Sequence, residues 1–263
     1  DLFQELFWPD HTLGTPILGT PETVAEFSPT IVRRYFQDYY VPANMVVTAA
    51  GNIEHDAFVE LVASRVKPES WSNGSAEFPS PEPQPNAGML QEHNSSVEQA
   101  HLYMGVPSFP SSSSRLFQRV REDMGAAYTI YSDVTAYQDA GCFSIYCGTA
   151  PRTIRPVVKA IMEEVRDMRN RPVPEDELTM AKDHVIGSML LSTESPGSRM
   201  TNLARQEIFF GRFFTARDLV RLIGKVTAEE IREMAQELFN PDSWTVTLYV
   251  NLGRTRIRPD ELA

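Results

Sequence analysis

The sequence predicts an α+β protein made of two homologous units, each an antiparallel sheet with helices packed on one face, the first unit incomplete. Three observations carry this expectation. Apolar strand-type runs gather between residues 88 and 148 and helical periodicity between 152 and 239, and strands gathered ahead of helices favour a sheet with its helices in one layer. Prolines at 68, 79, 81, 83 and 85 set a shorter block at the start apart from the longer one that follows. The two ends of the chain also repeat one another.

In chain order, the pattern predicts a short helix at 2–7, a loop rich in Gly and Pro, a helix at 28–40, a strand at 44–51 and a helix at 54–66. Residues 67–87 hold too many prolines for a helix or a central strand and read as a linker. Strands follow at 88–93 and 97–106, then a helix at 112–124, whose Leu116, Phe117, Val120 and Met124 form one apolar stripe and which Gly125 ends. Strands at 127–136 and 141–148 precede helices at about 152–170, 175–192, 196–210, 216–224 and 228–239, and a last strand at 243–250 closes the chain. The expected organisation is therefore 1–66 as the end of a first unit, 67–87 as linker and 88–263 as a second unit.

The repeat fixes the relation between the two units. Shifted by 199 positions, Ser28 meets Thr227 as a helix N-cap, Val32 meets Ile231, Gln37 meets Gln236, Pro42 meets Pro241, Val47 meets Val246 and Asn52 meets Asn251, all without a gap. Upstream, Gln4-Glu5-Leu6-Phe7-Trp8 matches Gln206-Glu207-Ile208-Phe209-Phe210 at a shift of 202. Cap, apolar face, helix-ending proline and strand recur in order, which is the signature of duplication. The second unit runs from residue 88 before it reaches Gln206, whereas the first begins at the equivalent helix. About a hundred residues of the first unit are thus expected to lie outside this chain.

Composition excludes several functions. Against 35 acidic side chains stand 24 basic ones, a net charge of -11, which repels nucleic acid and anionic lipid and leaves no basic patch to hold phosphate. No apolar run approaches the roughly 20 residues of a membrane span, so no membrane partner is expected. Cys142 and Cys147, five apart on one strand, point to opposite faces and do not pair. Unpaired thiols favour a reducing compartment, and a cytoplasmic location is expected.

Few side chains carry a chemical pattern. The histidines, at 11, 55, 93, 101 and 184, include no pair four residues apart with a carboxylate between them, and His11, His55 and His184 read as capping or solvated groups. Glu163-Glu164 and Glu229-Glu230 read as solvated helix faces. One segment stands apart, Arg121 on the last turn of the 112–124 helix and Tyr128 where the next strand begins. Both can project to one rim of the sheet, where a guanidinium fork beside a phenol O–H can bind a peptide carbonyl and the oxyanion it becomes. The same residues also read as a helix C-terminal cation and an amphipathic strand residue.

Three stretches carry a resemblance. Leu13-Gly14-Thr15-Pro16-Ile17-Leu18-Gly19-Thr20-Pro21-Glu22-Thr23-Val24, Tyr39-Tyr40-Val41-Pro42-Ala43-Asn44-Met45, and Ser114 through Thr129 with Arg121 and Tyr128 spaced by seven resemble the insulinase and pitrilysin-like metallopeptidases, which include mitochondrial processing peptidase. The resemblance implies two homologous α+β domains, a zinc endopeptidase acting on extended peptides, and Arg121 and Tyr128 as donors to the scissile carbonyl. It also implies zinc on a His-x-x-Glu-His helix in the full-length protein. That run does not occur here, so this chain by itself is expected to hold no zinc and to be inactive. A homodimer, or pairing with a related subunit, is the implied assembly. The resemblance further implies an additional helix between Pro110 and Ser111. A structural or partner subunit of the same fold, without catalysis, is the second reading.

Overall fold

The computed structural model describes residues 1–66, 82–108, 127–137, 139–251 and 257–258. The predicted helix at 112–124, Arg121 and most of the proline-rich segment lie outside the described residues. By packing, the chain forms two compact units. One comprises Asp1–Ile17, Ser80–Ala181 and Val226–Ala263, the other Leu18–Pro79 and Lys182–Lys225.

The first unit is built on a five-stranded sheet of order β1-β5-β2-β4-β3, with β1 Gly88–His93, β2 Ala100–Pro107, β3 Ala127–Ala136, β4 Gly141–Thr149 and β5 Thr245–Val250. Strands β2, β3, β4 and β5 pair antiparallel, but β1 lies parallel to β5 with Gly88 opposite Thr245 and His93 opposite Val250. The sheet is therefore mixed, a correction to the antiparallel expectation. Its cause is topological, since a strand joining β5 through the whole intervening chain can arrive in either direction, whereas the short β3–β4 hairpin can only be antiparallel.

One sheet face is dry. Leu102, Met104, Val106, Phe143, Ile145, Cys147, Val246, Leu248 and Val250 alternate onto it and meet Ile154, Val157, Val158, Ile161, Met162 and Val165 of helix α5, Ile154–Asn170. Those α5 positions recur every three or four residues, the stripe a helix needs to lie on a sheet. Pro156 falls in the first turn of α5, where no intrahelical N–H is lost. Helix α9, Ala228–Leu238, packs beside α5, with Phe239 and Trp244 closing that end in a stack at 5.9 Å.

The opposite face is also partly covered. Helix α1, Leu2–Phe7, sets Phe3, Phe7 and Trp8 against Cys142 and Tyr103. Gly105 makes this possible, because a Cβ there would stand 2.5 Å from the Phe3 ring. The carbonyls at the end of α1 are satisfied by Asn86, whose backbone N–H donates to Phe7 at 2.9 Å and whose amide donates to Leu6 at 3.2 Å. Helices thus lie on both faces of this sheet, a departure from the expectation of one, because the aromatic stripe of α1 finds its apolar surface there. Packing divides the chain at Pro79/Ser80, inside the 67–87 segment, and also at Ile17/Leu18, Ala181/Lys182 and Lys225/Val226.

The second unit is helical. It holds α2 Pro21–Ala25, α3 Pro29–Tyr39, α4 His55–Arg65, α7 Pro196–Phe210 and α8 Ala216–Lys225, and most of α6, Glu175–Ser192. Helix α2, only five residues, is stabilised by reciprocal capping between Thr20 and Thr23 within the segment read as loop. No helix among the described residues is long and apolar enough to cross a membrane.

The repeat reappears as geometry. Helix α3 and helix α9 each have 11 residues and coincide under the 199-residue shift, with Ser28 and Thr227 as side-chain N-caps. The 3-10 turns Pro42–Asn44 and Pro241–Ser243 follow at equivalent positions. Beyond them the paths diverge in pairing. Val246 is 0% exposed inside β5, while its counterpart Val47 is 57% exposed in an extended segment with no strand ladder among the described residues. Tyr40 and Phe239 repeat the contrast at 48% and 5%.

Candidate functional site

Strand β3 is an edge of the sheet. Its register against β4 runs evenly from Ala136 opposite Gly141 back to Thr129 opposite Gly148, and then jumps so that Ala127 faces Thr149. Tyr128 is the extra residue. A bulge of this kind breaks the alternation of side chains, re-aims one of them and is frequent at sheet rims beside active sites. Tyr128 is 60% exposed, so its hydroxyl is available to a ligand. The structure thus places one of the two predicted donors at an irregularity on an open edge, and the other, Arg121, lies outside the described residues.

The other sequence-level candidates resolve into structural duties. His11 caps a 3-10 turn, its Nδ1 accepting from the Leu13 N–H at 3.1 Å. His55 begins α4 and His184 lies within α6. Glu230 closes the capping box of α9 by accepting from the Thr227 N–H at 2.8 Å, and Glu229 pairs with Arg232. Lys159 and Glu163 form an ion pair across one turn of α5 at 3.8 Å.

Cys142 and Cys147 lie in the two clusters on opposite faces of the sheet, as their spacing predicts, and both are free thiols. Burial pushes each thiol up to about 12, with the Asp133 carboxylate adding to the effect at Cys142. Neither therefore carries a thiolate at neutral pH, which removes them as nucleophiles.

Sequence reasoning did not single out the polar face of this sheet. His101 Nδ1 and the Tyr146 hydroxyl are 2.8 Å apart. Tyr131 and Tyr103 lie on either side of Tyr146, at ring-centroid distances of 5.2 and 5.6 Å. Burial raises the Tyr103 phenol, with Tyr131 contributing electrostatically and the Ser144 side chain opposing it through a hydrogen bond. The available signal was a polar or aromatic residue at alternate positions in three strands; what was lacking was the register that joins them.

Among the described residues no group of three or more His, Cys, Asp or Glu comes together in a way that could hold a metal ion. With no His-x-x-Glu-His run in the chain, the residues present do not fit a catalytic zinc site.

The same fold, a sheet with helices packed against it, occurs in solved structures of peptidases. A protease from Helicobacter pylori matches with a TM-score of 0.80 at 17% identity, over 95% of this chain and 65% of that one. A chain in complex III2 from Candida albicans matches with a TM-score of 0.79 at 14% identity, over 94% and 64%. At these identities the likeness speaks for the fold. The family model described as the Peptidase M16 inactive domain matches residues 26–112 and 109–185. The protein of Bacillus subtilis called uncharacterized zinc protease YmxG is 32% identical over 269 residues, 92% of this chain and 63% of its own length. The chain belongs to the peptidase M16 family. It spans 63% of that relative and 57% of a similar zinc protease of Streptomyces coelicolor.

Proposed function

We propose that this chain is part of a zinc-dependent endopeptidase that hydrolyses extended peptides, its contribution being two preorganised donors. Arg121 and Tyr128 each donate a hydrogen bond to the scissile carbonyl oxygen and hold the negative charge that gathers there as water adds to the carbonyl carbon. The observation that carries this reading is the bulge at Tyr128, which singles out on an exposed edge the same residue that the spacing of seven singles out in sequence. Zinc would be supplied by residues outside this chain. Residues 1–66 are read as the end of a first homologous unit and 88–263 as the second, on the strength of the matching bounds of α3 and α9. The exposure of Val47 and Tyr40, whose counterparts are buried, fits a first unit completed by further chain. Pairing of two such proteins, or with a related subunit, completes the proposal, and the two unpaired thiols favour the cytoplasm.

A second reading, a partner subunit without catalysis, is favoured by the likeness to a chain of complex III2. Zinc content and cleavage of an internally quenched peptide separate the two. The expected result is no stoichiometric zinc and no turnover for this chain, and one zinc with turnover for the gene product extended to the full length of its relatives. An extended protein that folds but neither holds zinc nor cuts the peptide establishes the partner subunit instead.

A further inference from the structure

Strand β1 is the other edge of the sheet, and β5 is its only ladder partner among the described residues. A strand of 6 residues with one neighbour opens more readily than the strands inside a sheet. Its start is tied to the elements beside it. The Gly88 N–H donates to the Trp244 carbonyl at 3.1 Å. Asn86, just ahead, holds the end of α1, and its carbonyl accepts from the Thr245 hydroxyl.

The middle of β1 is held by a residue 166 positions further along the chain. The Gln91 side chain donates to the Ile257 carbonyl at 2.7 Å and accepts from the Ile257 N–H at 3.0 Å. One amide thus offers Ile257 the donor and the acceptor that a neighbouring strand would offer. The same nitrogen reaches Met89 Sδ at 3.0 Å, so the amide is oriented by the strand that carries it.

The Ile257 side chain completes the tie. It is 2% exposed and belongs to the main core cluster, against which Met89 also packs. Met89 and Gln91, two residues apart, share that face of β1. Arg258, the next residue, is exposed. The contact is therefore concentrated at Ile257, one apolar anchor with a matched pair of hydrogen bonds, whereas β1 and β5 are joined along a whole ladder.

We infer that Ile257 and Gln91 form a latch, by which the chain beyond β5 returns to lock the edge strand β1 onto the core, and that β1 opens with this latch while β2, β4 and β5 stay paired. Burial of Ile257 supplies most of the holding free energy. The Gln91 amide supplies the register, since it is matched only by a backbone that presents a donor and an acceptor together. Opening the latch uncovers Met89 and removes the support of Asn86, so the tail governs both the sheet edge and the grip on α1.

The test is native-state hydrogen exchange of this chain at low denaturant. The amides of β1 and of Ile257 are expected to exchange through one shared opening, about a hundredfold or more faster than those of β2 and β4. Their rates should also depend less on denaturant, because a latch exposes less surface than global unfolding. Gln91→Met keeps the volume and removes both hydrogen bonds, and should speed this group about tenfold. Ile257→Ala should speed it about a hundredfold. Exchange of β1 and Ile257 only together with β2 and β4, at the same rates and the same denaturant dependence, overturns the latch. So does a Gln91→Met protein in which Ile257 exchanges faster and β1 does not, or in which neither changes.

Discussion

Tyr128→Phe in the full-length, zinc-loaded protein is expected to lower kcat by about 10² to 10³ while stability moves by about 1 kcal/mol or less. The two effects separate because of where the residue sits. With the side chain 60% exposed on an edge strand, losing the hydroxyl opens no core cavity and strands no buried partner. The transition state, by contrast, loses one donor aimed at a developing charge. Arg121→Lys should also be harmful, since an ammonium cannot reproduce the planar, fixed guanidinium fork. The check is steady-state peptide cleavage alongside zinc content and thermal melting. Wild-type kcat with zinc and melting unchanged would make Tyr128 an ordinary edge residue.

Phe7→Ala carries the largest expected effect on stability, a loss of about 3 to 5 kcal/mol. Phe7 is 0% exposed, 5.3 Å from Phe3 and 4.6 Å from Trp8 between ring centroids. Truncation empties the centre of the small cluster that binds α1 to the sheet. Urea unfolding followed by tryptophan fluorescence reads it directly, because Trp8 and Trp244 both lie in the sheet unit. A loss below about 1 kcal/mol, the range of surface substitutions with a small margin, would show that α1 is not anchored where the packing puts it.

Local signals carried most of the architecture. The bounds of α9 were legible because Thr227 and Glu230 cap it and Pro241 stops its continuation, and those of α3 because Ser28 and Pro29 open it and Pro42 follows it. The opposite-face placement of Cys142 and Cys147 followed from the strand period alone. What was not legible depends on distant partners. The aromatic stripe of α1 announces burial without saying against which surface, and the direction of β1 beside β5 is a choice of path rather than of propensity. Residues 45–50 have strand composition, yet a ladder needs a neighbour, and none is present among the described residues. At the site, the Arg121 and Tyr128 spacing was visible in sequence, but the bulge that sets Tyr128 apart is a register event. The tyrosine row was hidden for the same reason, since three residues from three strands become neighbours only when the sheet closes.

The most direct measurement of the central claim is a structure of the full-length protein with an uncleavable peptide bound across its zinc. The account predicts the Tyr128 hydroxyl and the Arg121 guanidinium both at about 2.7 to 3.1 Å from the oxygen that replaces the scissile carbonyl. A bound peptide whose scissile position lies beyond the reach of both groups, with other donors on that oxygen, would contradict it.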